Sequence, residues 1–221
     1  MIFLRRPFKY AFFNATLAII LITIAAHFLI TFLNINKAFF GLNVVGFVYK
    51  HYVWQVITYM FVHGDISHVF FNMLALFFFG IGIEKTLGSK EFLLMYFSIG
   101  IMSGLFSVAV YFAFGKFLIQ NGMQPWSFGI SLIGASGAVY GILFAYAVLF
   151  PRSRIFIWGL IPVPAPLMVL AYAVIEFGSQ FIGSSNVAHM THLAGFAFAW
   201  LYFVVRMGVN PLKIWKDAYR N

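Results

Sequence analysis

The sequence has 221 residues, of which 63% are hydrophobic and only 9% are charged, and its mean hydropathy is +0.95. A soluble globule of this size cannot bury so much apolar surface, and a disordered chain has the opposite composition, so both classes are excluded and an integral membrane protein is predicted. The net charge of +9 is typical of Lys and Arg beside lipid head groups rather than of nucleic-acid binding, and the absence of Cys excludes disulfides and thiolate chemistry.

Six apolar segments are interpreted as membrane spans, since a transmembrane helix needs about 20 mostly apolar residues. Pro162, Pro164 and Pro166 oppose a continuous helix from residue 155, so residues 155–163 are predicted to form an apolar connection at the membrane interface. The predicted spans are residues 11–33, 68–83, 92–114, 136–150, 165–182 and 188–207. The sequence therefore predicts an all-α, polytopic membrane protein in which residues 1–221 form a single six-helix domain with short basic tails.

The positive charges are distributed unevenly along this predicted topology. With the N-terminus inside, 11 of the 14 Lys and Arg residues fall on the inner side, among them Arg5 and Arg6. This asymmetry predicts that both termini face the cytoplasmic side. Of the long outer loops, residues 34–67 are expected to lie in the interface and residues 115–135 to form an irregular or re-entrant loop.

Four polar residues stand in the first turns of alternate predicted helices. His68 and Asn72 share one face of the second helix, Ser136 begins the fourth, and His192 lies near the start of the sixth. These three helices run in the same direction, so the four side chains are predicted at one depth, just below the outer surface. Polar groups inside spans are costly and usually functional, so this level of the bundle is the predicted site.

Ser136 and His192 are the residue types of a nucleophile and its general base. Three of the five acidic residues are predicted on the inner side, while Asp65 and Glu176 lie near the outer side but off the polar motifs. The sequence therefore favours a Ser–His dyad over a triad with an orienting carboxylate.

Acyl transfer also needs hydrogen-bond donors for a developing oxyanion. The amide of Asn72, the ring N–H of His68 and the backbone N–H of Ser136 can supply them. Gly134 and Gly137 leave space beside Ser136 for a substrate backbone. The small-residue pairs Gly137/Gly141 and Gly195/Ala199 predict that the fourth and sixth helices pack closely.

At these residues the chain resembles the rhomboid family of intramembrane serine proteases. The nucleophile motif GxSG appears at residues 134–137, the base motif HxxG at residues 192–195 and the HxxxN pair at residues 68–72. Tyr140 matches the family tyrosine that stacks on the catalytic histidine. The resemblance covers about residues 10–207. It departs from the family pattern at Trp54-Gln55, where rhomboids carry Trp-Arg.

The resemblance implies hydrolysis of a peptide bond in or near a transmembrane segment of another membrane protein. It assigns Ser136 as nucleophile, His192 as base, and His68 and Asn72 as oxyanion donors, with Tyr140, Gly134 and Gly137 in support. Substrate is expected to enter between the second and fifth helices, and residues 178–186 are a candidate lid. The expected partners are transmembrane substrates and the lipid bilayer, with no metal, cofactor or nucleic acid, and the expected location is a bacterial inner membrane.

Three other functions fit parts of the sequence. The first is a catalytically inactive rhomboid-like protein that binds membrane clients. The second is a transporter or channel, which the proline-rich stretch suggests but which the absence of paired charges in the spans opposes. The third is a histidine metal site, formed from His63, His68, His189 and His192.

Overall fold

The computed structural model describes residues 8–157, 159–182 and 186–220, and these residues are predominantly helical. The helices are α1 (Ala15–Phe32), α2 (Lys37–Phe40), α3 (Gln55–Thr58), α4 (Ile66–Ala75), α5 (Ile81–Leu87), α6 (Ser89–Gln120), α7 (Ser136–Leu149), α8 (Ala165–Ile182), α9 (Asn186–Tyr202) and α10 (Pro211–Ala218). π-Helical turns at Leu76–Gly80 and Phe203–Met207 join α4 to α5 and extend α9.

All six apolar segments predicted from the sequence form helices, and the helical fold class is confirmed. Among the described residues, four helices are long and apolar enough to cross a membrane: Ala15–Phe32, Ile66–Leu87, Ser89–Gln120 and His189–Met207. Two shorter apolar helices, Ser136–Leu149 and Ala165–Ser179, correspond to the predicted fourth and fifth spans. The six-span topology and its orientation stay predictions.

Three connections differ from the sequence-based expectation. Residues 115–120 continue α6 instead of forming a loop, because Gly115 is packed against the Phe128 ring rather than interrupting the helix. Residues 155–163 lie mostly in an antiparallel hairpin, in which β1 (Arg154–Ile157) pairs with β2 (Ile161–Pro164). The expected lid at residues 178–186 begins as helix, since α8 continues to Ile182, and residues 183–185 lie outside the described residues.

The core of the fold surrounds α7. Most of its side chains are buried, including Ile142, Ala145 and Ala147 at 0% exposure, so this helix is enclosed by the others. Its closest neighbour is α9, because Gly141 and Gly195 allow the two backbones to approach. The N-terminal end of α7 is thereby fixed against α9, at the level of the polar residues.

The end of the bundle near Ser136 is covered by the segment between α1 and α4. Leu42 pairs with Leu132 through two backbone hydrogen bonds, of 2.8 and 3.0 Å. The amide of Gln55, which stands where rhomboids carry Arg, donates to the carbonyls of Ala38 and Phe39. Gln55 is fully buried, so this residue still ties the loop together despite the departure from the family pattern.

Candidate active site

Ser136 is the first residue of α7, and the loop before it is held in one conformation. Gly134 has a φ of +113°, which side chains disfavour, and an added Cβ would lie 2.7 Å from His68 Nε2. The Gly134 N–H donates to the carbonyl of Tyr59 at 2.9 Å. The N–H of Ala135 donates to His63 Nε2 at 3.4 Å. These contacts set the position of the serine at the helix N-terminus.

His192 lies opposite Ser136 across the contact between α7 and α9. The Ser136 Oγ and His192 Nε2 atoms are 2.8 Å apart, within hydrogen-bond range. The helices can approach this closely because Gly195, one turn after His192, lies against the backbone of Gly137. The sequence therefore brings a hydroxyl and an imidazole together over a separation of 56 residues.

Tyr140 stacks on His192. The two rings are nearly parallel, with an interplanar angle of 7° and centroids 4.1 Å apart. Tyr140 lies four residues after Ser136, so its ring is on the same face of α7, one turn further along. Its hydroxyl donates a hydrogen bond to Glu176 Oε1. Tyr140 therefore fixes the plane of the imidazole and contacts the acid beside it.

Glu176 is the site residue that sequence reasoning missed. We expected it to lie off the polar motifs, but its Oε1 is 2.9 Å from His192 Nδ1 and its Oε2 is 2.5 Å from His189 Nδ1. The residue is only 6% exposed and lies on α8. The signal available in the sequence was an ionisable group inside a predicted span, which is functional more often than not.

His68 and Asn72 lie on α4 and face the same cavity as Ser136. The N–H of Gly64 donates to His68 Nδ1 at 3.4 Å, which leaves Nε2 as the protonated nitrogen, beside Gly134. The Asn72 side chain donates one N–H to the carbonyl of His68, within the same helix, at 2.8 Å. Both residues thus have an N–H available on the side of the cavity, and their oxyanion role stays a prediction.

Two titratable residues that precede α4, His63 and Asp65, hold the loop before Ser136 and the first turn of α4 in place. Burial and the neighbouring His68 lower the pKa of His63 to about 4, so the ring is neutral and its Nε2 can accept from Ala135. Hydrogen bonds from the Ser67 hydroxyl and the His68 N–H lower the pKa of Asp65, which caps the N-terminus of α4. Asp65 therefore orients α4 through its first turn.

A cavity of about 670 Å³ opens beside Ser136 and His192. Phe71, Asn72 and Phe78 line it from α4 and the π-helical turn, and Met168 and Tyr172 line it from α8. The walls are mainly apolar, with the polar groups gathered at one end. Its volume and mainly apolar lining are typical of a site that binds an apolar ligand.

One cluster of described residues has the donor set of a metal site. Glu176, His189 and His192 each offer a ligand atom, and these atoms lie within 4.8 Å of one another. Of the histidines proposed from the sequence as metal ligands, His189 and His192 belong to this cluster. His63 and His68 instead contact each other edge to face, with ring centroids 4.9 Å apart.

Comparison with known proteins gives a consistent result. The family model for the rhomboid domain matches residues 50–208. A mitochondrial RHOMBOID-like protein 12 of Arabidopsis thaliana is 31% identical over 65% of this chain and 44% of its own length. The mitochondrial rhomboid protein 1 of Saccharomyces cerevisiae is 30% identical over 77% of this chain and 50% of its own length.

Bacterial relatives and a relative named as inactive are also found. A rhomboid protease of Providencia stuartii is 31% identical over 60% of this chain and 50% of its own length, and an inactive RHOMBOID-like protein 8 of Arabidopsis thaliana is 29% identical over 47% of this chain. The chain spans about half the length of the first relatives it matches. Because the relatives are mitochondrial as well as bacterial, they do not support the expected bacterial inner membrane.

Proposed function

The chain belongs to the rhomboid family, and we propose that it is an intramembrane serine protease. The substrate is another membrane protein, cleaved at a peptide bond in or near a transmembrane segment. The observation that carries the proposal is the 2.8 Å contact between Ser136 Oγ and His192 Nε2, at the polar end of an apolar cavity. A serine hydroxyl beside an imidazole acceptor is the minimal arrangement for nucleophilic acyl transfer.

Ser136 and His192 exchange one proton during the reaction. Ser136 Oγ attacks the carbonyl carbon of the scissile bond while its proton passes to His192 Nε2. The tetrahedral intermediate collapses to an acyl-enzyme, and the proton on Nε2 goes to the leaving amine. Water then loses a proton to Nε2 and attacks the ester. The second tetrahedral intermediate releases the acid as Nε2 returns that proton to Ser136 Oγ, which restores both residues.

The negative charge that develops on the carbonyl oxygen requires hydrogen-bond donors around that oxygen. The N–H of Ser136 lies at the N-terminus of α7, where the helix dipole also favours negative charge. The ring N–H of His68 and the second amide N–H of Asn72 come from α4, which lines the same cavity. These three donors are assigned to the oxyanion, and the chemistry uses no metal or cofactor.

The length of α7 supports cleavage below the membrane surface. Its 14 residues span about 21 Å, less than the hydrocarbon core of about 30 Å. If its C-terminal end lies near the interface at Arg152, then Ser136 lies within the bilayer. We assign lateral access from lipid to the cavity, which α4 and α8 line, and we expect its polar residues to admit the water that hydrolysis needs.

The alternative function is that of a rhomboid-like protein that binds membrane clients without cleaving them. This alternative is retained because one of the relatives is named as inactive. A client-binding protein needs the apolar cavity but not a hydroxyl held 2.8 Å from an imidazole. The two functions therefore differ in whether Ser136 is activated.

Fluorophosphonate labelling of the purified protein in detergent tests this difference without knowledge of the substrate. We expect labelling of the wild type, none in Ser136→Ala, and a strong reduction in His192→Ala. The matched control is Ser98→Ala, which removes a serine on α6 whose hydroxyl binds its own helix, and it should label like the wild type. Folded wild-type protein that neither labels nor cleaves a transmembrane reporter would favour the client-binding function.

A further inference from the structure

The carboxylate of Glu176 accepts hydrogen bonds from three side chains. His192 Nδ1 lies 2.9 Å from Oε1 and His189 Nδ1 lies 2.5 Å from Oε2, and the Tyr140 hydroxyl donates to Oε1. Both of its ion-pair partners among the described residues are histidines. A buried carboxylate in an apolar helix is costly unless its partners compensate it. Here the partners include the proposed catalytic base.

The position of Glu176 determines which nitrogen of His192 carries the proton. An ionised carboxylate only accepts hydrogen bonds, so the proton of the neutral imidazole must be on Nδ1. Nε2 is then unprotonated and can accept the proton of Ser136. With the proton on Nε2 instead, His192 could not act as the base. One carboxylate thus selects the reactive tautomer.

The same carboxylate compensates the charge that appears during the reaction. When Ser136 transfers its proton, His192 becomes an imidazolium ion in a site where its side chain is only 14% exposed. Glu176 already lies next to Nδ1, so the charge forms beside a fixed negative group and little solvent must reorganise. His189, three residues before His192 on α9, holds the other carboxylate oxygen and keeps Oε1 directed at Nδ1.

We infer that Glu176 is a positioning residue for His192, so that Ser136, His192 and Glu176 work as a triad rather than Ser136 and His192 as a dyad. The inference rests on the proposed protease function. It adds the Glu176 carboxylate, which orients the imidazole of His192 and compensates its positive charge. Glu176 does not touch the reacting atoms and acts only through His192. Tyr140 and His189 in turn hold Glu176.

Two substitutions separate the parts of this role. Glu176→Gln keeps a carbonyl oxygen that can accept from Nδ1 but removes the charge. Glu176→Leu keeps most of the volume and removes both the acceptor and the charge. The matched control is Glu91→Gln, because Glu91 is also buried and accepts a hydrogen bond from a tyrosine, Tyr202, but lies away from the site.

Fluorophosphonate labelling and cleavage of a transmembrane reporter give the rates, and both are measured only on protein that is shown to be folded. We expect Glu176→Leu to lower kcat by about 10³-fold and Glu176→Gln by about 10²-fold, with KM within about twofold of wild type, since loss of the orienting acid in serine proteases costs about 10⁴. Glu91→Gln should leave kcat within about twofold. An equal loss in Glu91→Gln, or wild-type kcat in both Glu176 variants, would overturn the inference.

A spectroscopic measurement separates positioning from a purely structural effect. In protein labelled with ¹⁵N-histidine, the His192 resonances, identified by their absence in His192→Gln, should report a proton on Nδ1 in the wild type and a mixture of tautomers in Glu176→Leu. An unchanged tautomer in Glu176→Leu would contradict the assignment. If the wild type itself fails to label at Ser136, the protease proposal fails; if it labels and the Glu176 variants behave like it, only the role of Glu176 fails.

Discussion

Gly195 lies against the backbone of Gly137, so closely that a Cβ added to Gly195 would be 2.2 Å from the carbonyl oxygen of Gly137. No side chain can relieve this clash, because the atom it meets belongs to the backbone. Gly137 directly follows Ser136, and Gly195 lies one turn after His192. The distance between the hydroxyl and the imidazole is therefore set by the absence of two side chains.

Gly195→Ala is expected to separate α7 from α9 and to lower the fluorophosphonate labelling rate by about 10²-fold or more, since a displacement of about 1 Å between reacting groups costs that much. The same overpacking should destabilise the fold by about 1–3 kcal/mol. The control is Gly178→Ala on α8, where an added Cβ meets nothing within 4 Å. Equal labelling by the two variants would show that the close contact does not position the site.

The residues that the sequence placed in the site share one property: each belongs to a short motif whose spacing fixes its position on a helix. Ser136, Tyr140 and His192 could be placed in this way. Glu176 could not, because it belongs to no sequence motif and contacts the site residues only once α8 has packed against α9. Tertiary packing, not local sequence, brings its carboxylate to His192.

The same limit applies to the connections. Pro162 and Pro164 were evidence against a helix, but nothing local to them specifies the pairing of Ile155 with Val163 in a hairpin. From the sequence alone, the third span was predicted to end before Gly115. In the structure α6 continues past this residue, whose missing side chain leaves space for the ring of Phe128. The length of the apolar segments therefore predicted the existence of the helices better than their ends.

Tyr140→Phe should separate the two contacts of this tyrosine. It keeps the ring stacked on His192 and removes the hydroxyl that binds Glu176. We expect a loss of about tenfold in kcat. A hydrogen bond to a charged group contributes about 1.5–3 kcal/mol, and part of this free energy keeps Glu176 in position beside His192. Tyr140→Leu, which also removes the stacked ring, should lose more.

The control for the tyrosine is Tyr202→Phe, which removes a similar hydrogen bond to Glu91, far along α9. It should lower the midpoint of thermal unfolding without changing kcat per folded molecule. If Tyr202→Phe slowed cleavage as much as Tyr140→Phe, the effect of Tyr140 would be one of stability and not of position.

The stability of the fold should depend on pH through His63. Its pKa is lowered from 6.5 to about 4, so the unfolded chain binds a proton that the folded chain does not between these values. Stability is then full above pH 6.5 and falls as the pH drops towards 4, by on the order of 3 kcal/mol. Asp65 has a pKa below 3.8, so its own contribution is lost only at lower pH.

The measurement is the midpoint of thermal unfolding in detergent between pH 4.5 and pH 7.5, for the wild type and for His63→Gln. Glutamine offers an amide oxygen near the position of Nε2 and does not titrate, so the variant should keep the bond from Ala135 and show a flatter profile. Equal slopes for the two proteins would mean that His63 is not the titrating group.

The orientation of the bundle can be tested with single cysteines, because the chain has none of its own. Lys50, Lys116 and Arg152 are exposed positions on three different connections or helix ends. The predicted topology requires that an impermeant thiol reagent added from outside labels residues 50 and 116 but not residue 152 until the membrane is opened. Labelling of residue 152 in sealed vesicles would invert the topology or change the number of spans.

Metal addition and removal distinguish the two uses of His192. If the protein is a serine protease, a chelator should leave fluorophosphonate labelling of Ser136 unchanged. Excess Zn²⁺ should inhibit labelling, because Glu176, His189 and His192 have ligand atoms within 4.8 Å of one another. A neutral imidazole that binds an ion through Nδ1 carries its proton on Nε2, so His192 could no longer accept the proton of Ser136. His189→Gln removes one ligand and should raise the Zn²⁺ concentration needed for inhibition by about tenfold or more, while Ser136 still labels. Loss of activity on chelation, restored by Zn²⁺, would instead support the metal site and remove the basis for a serine mechanism.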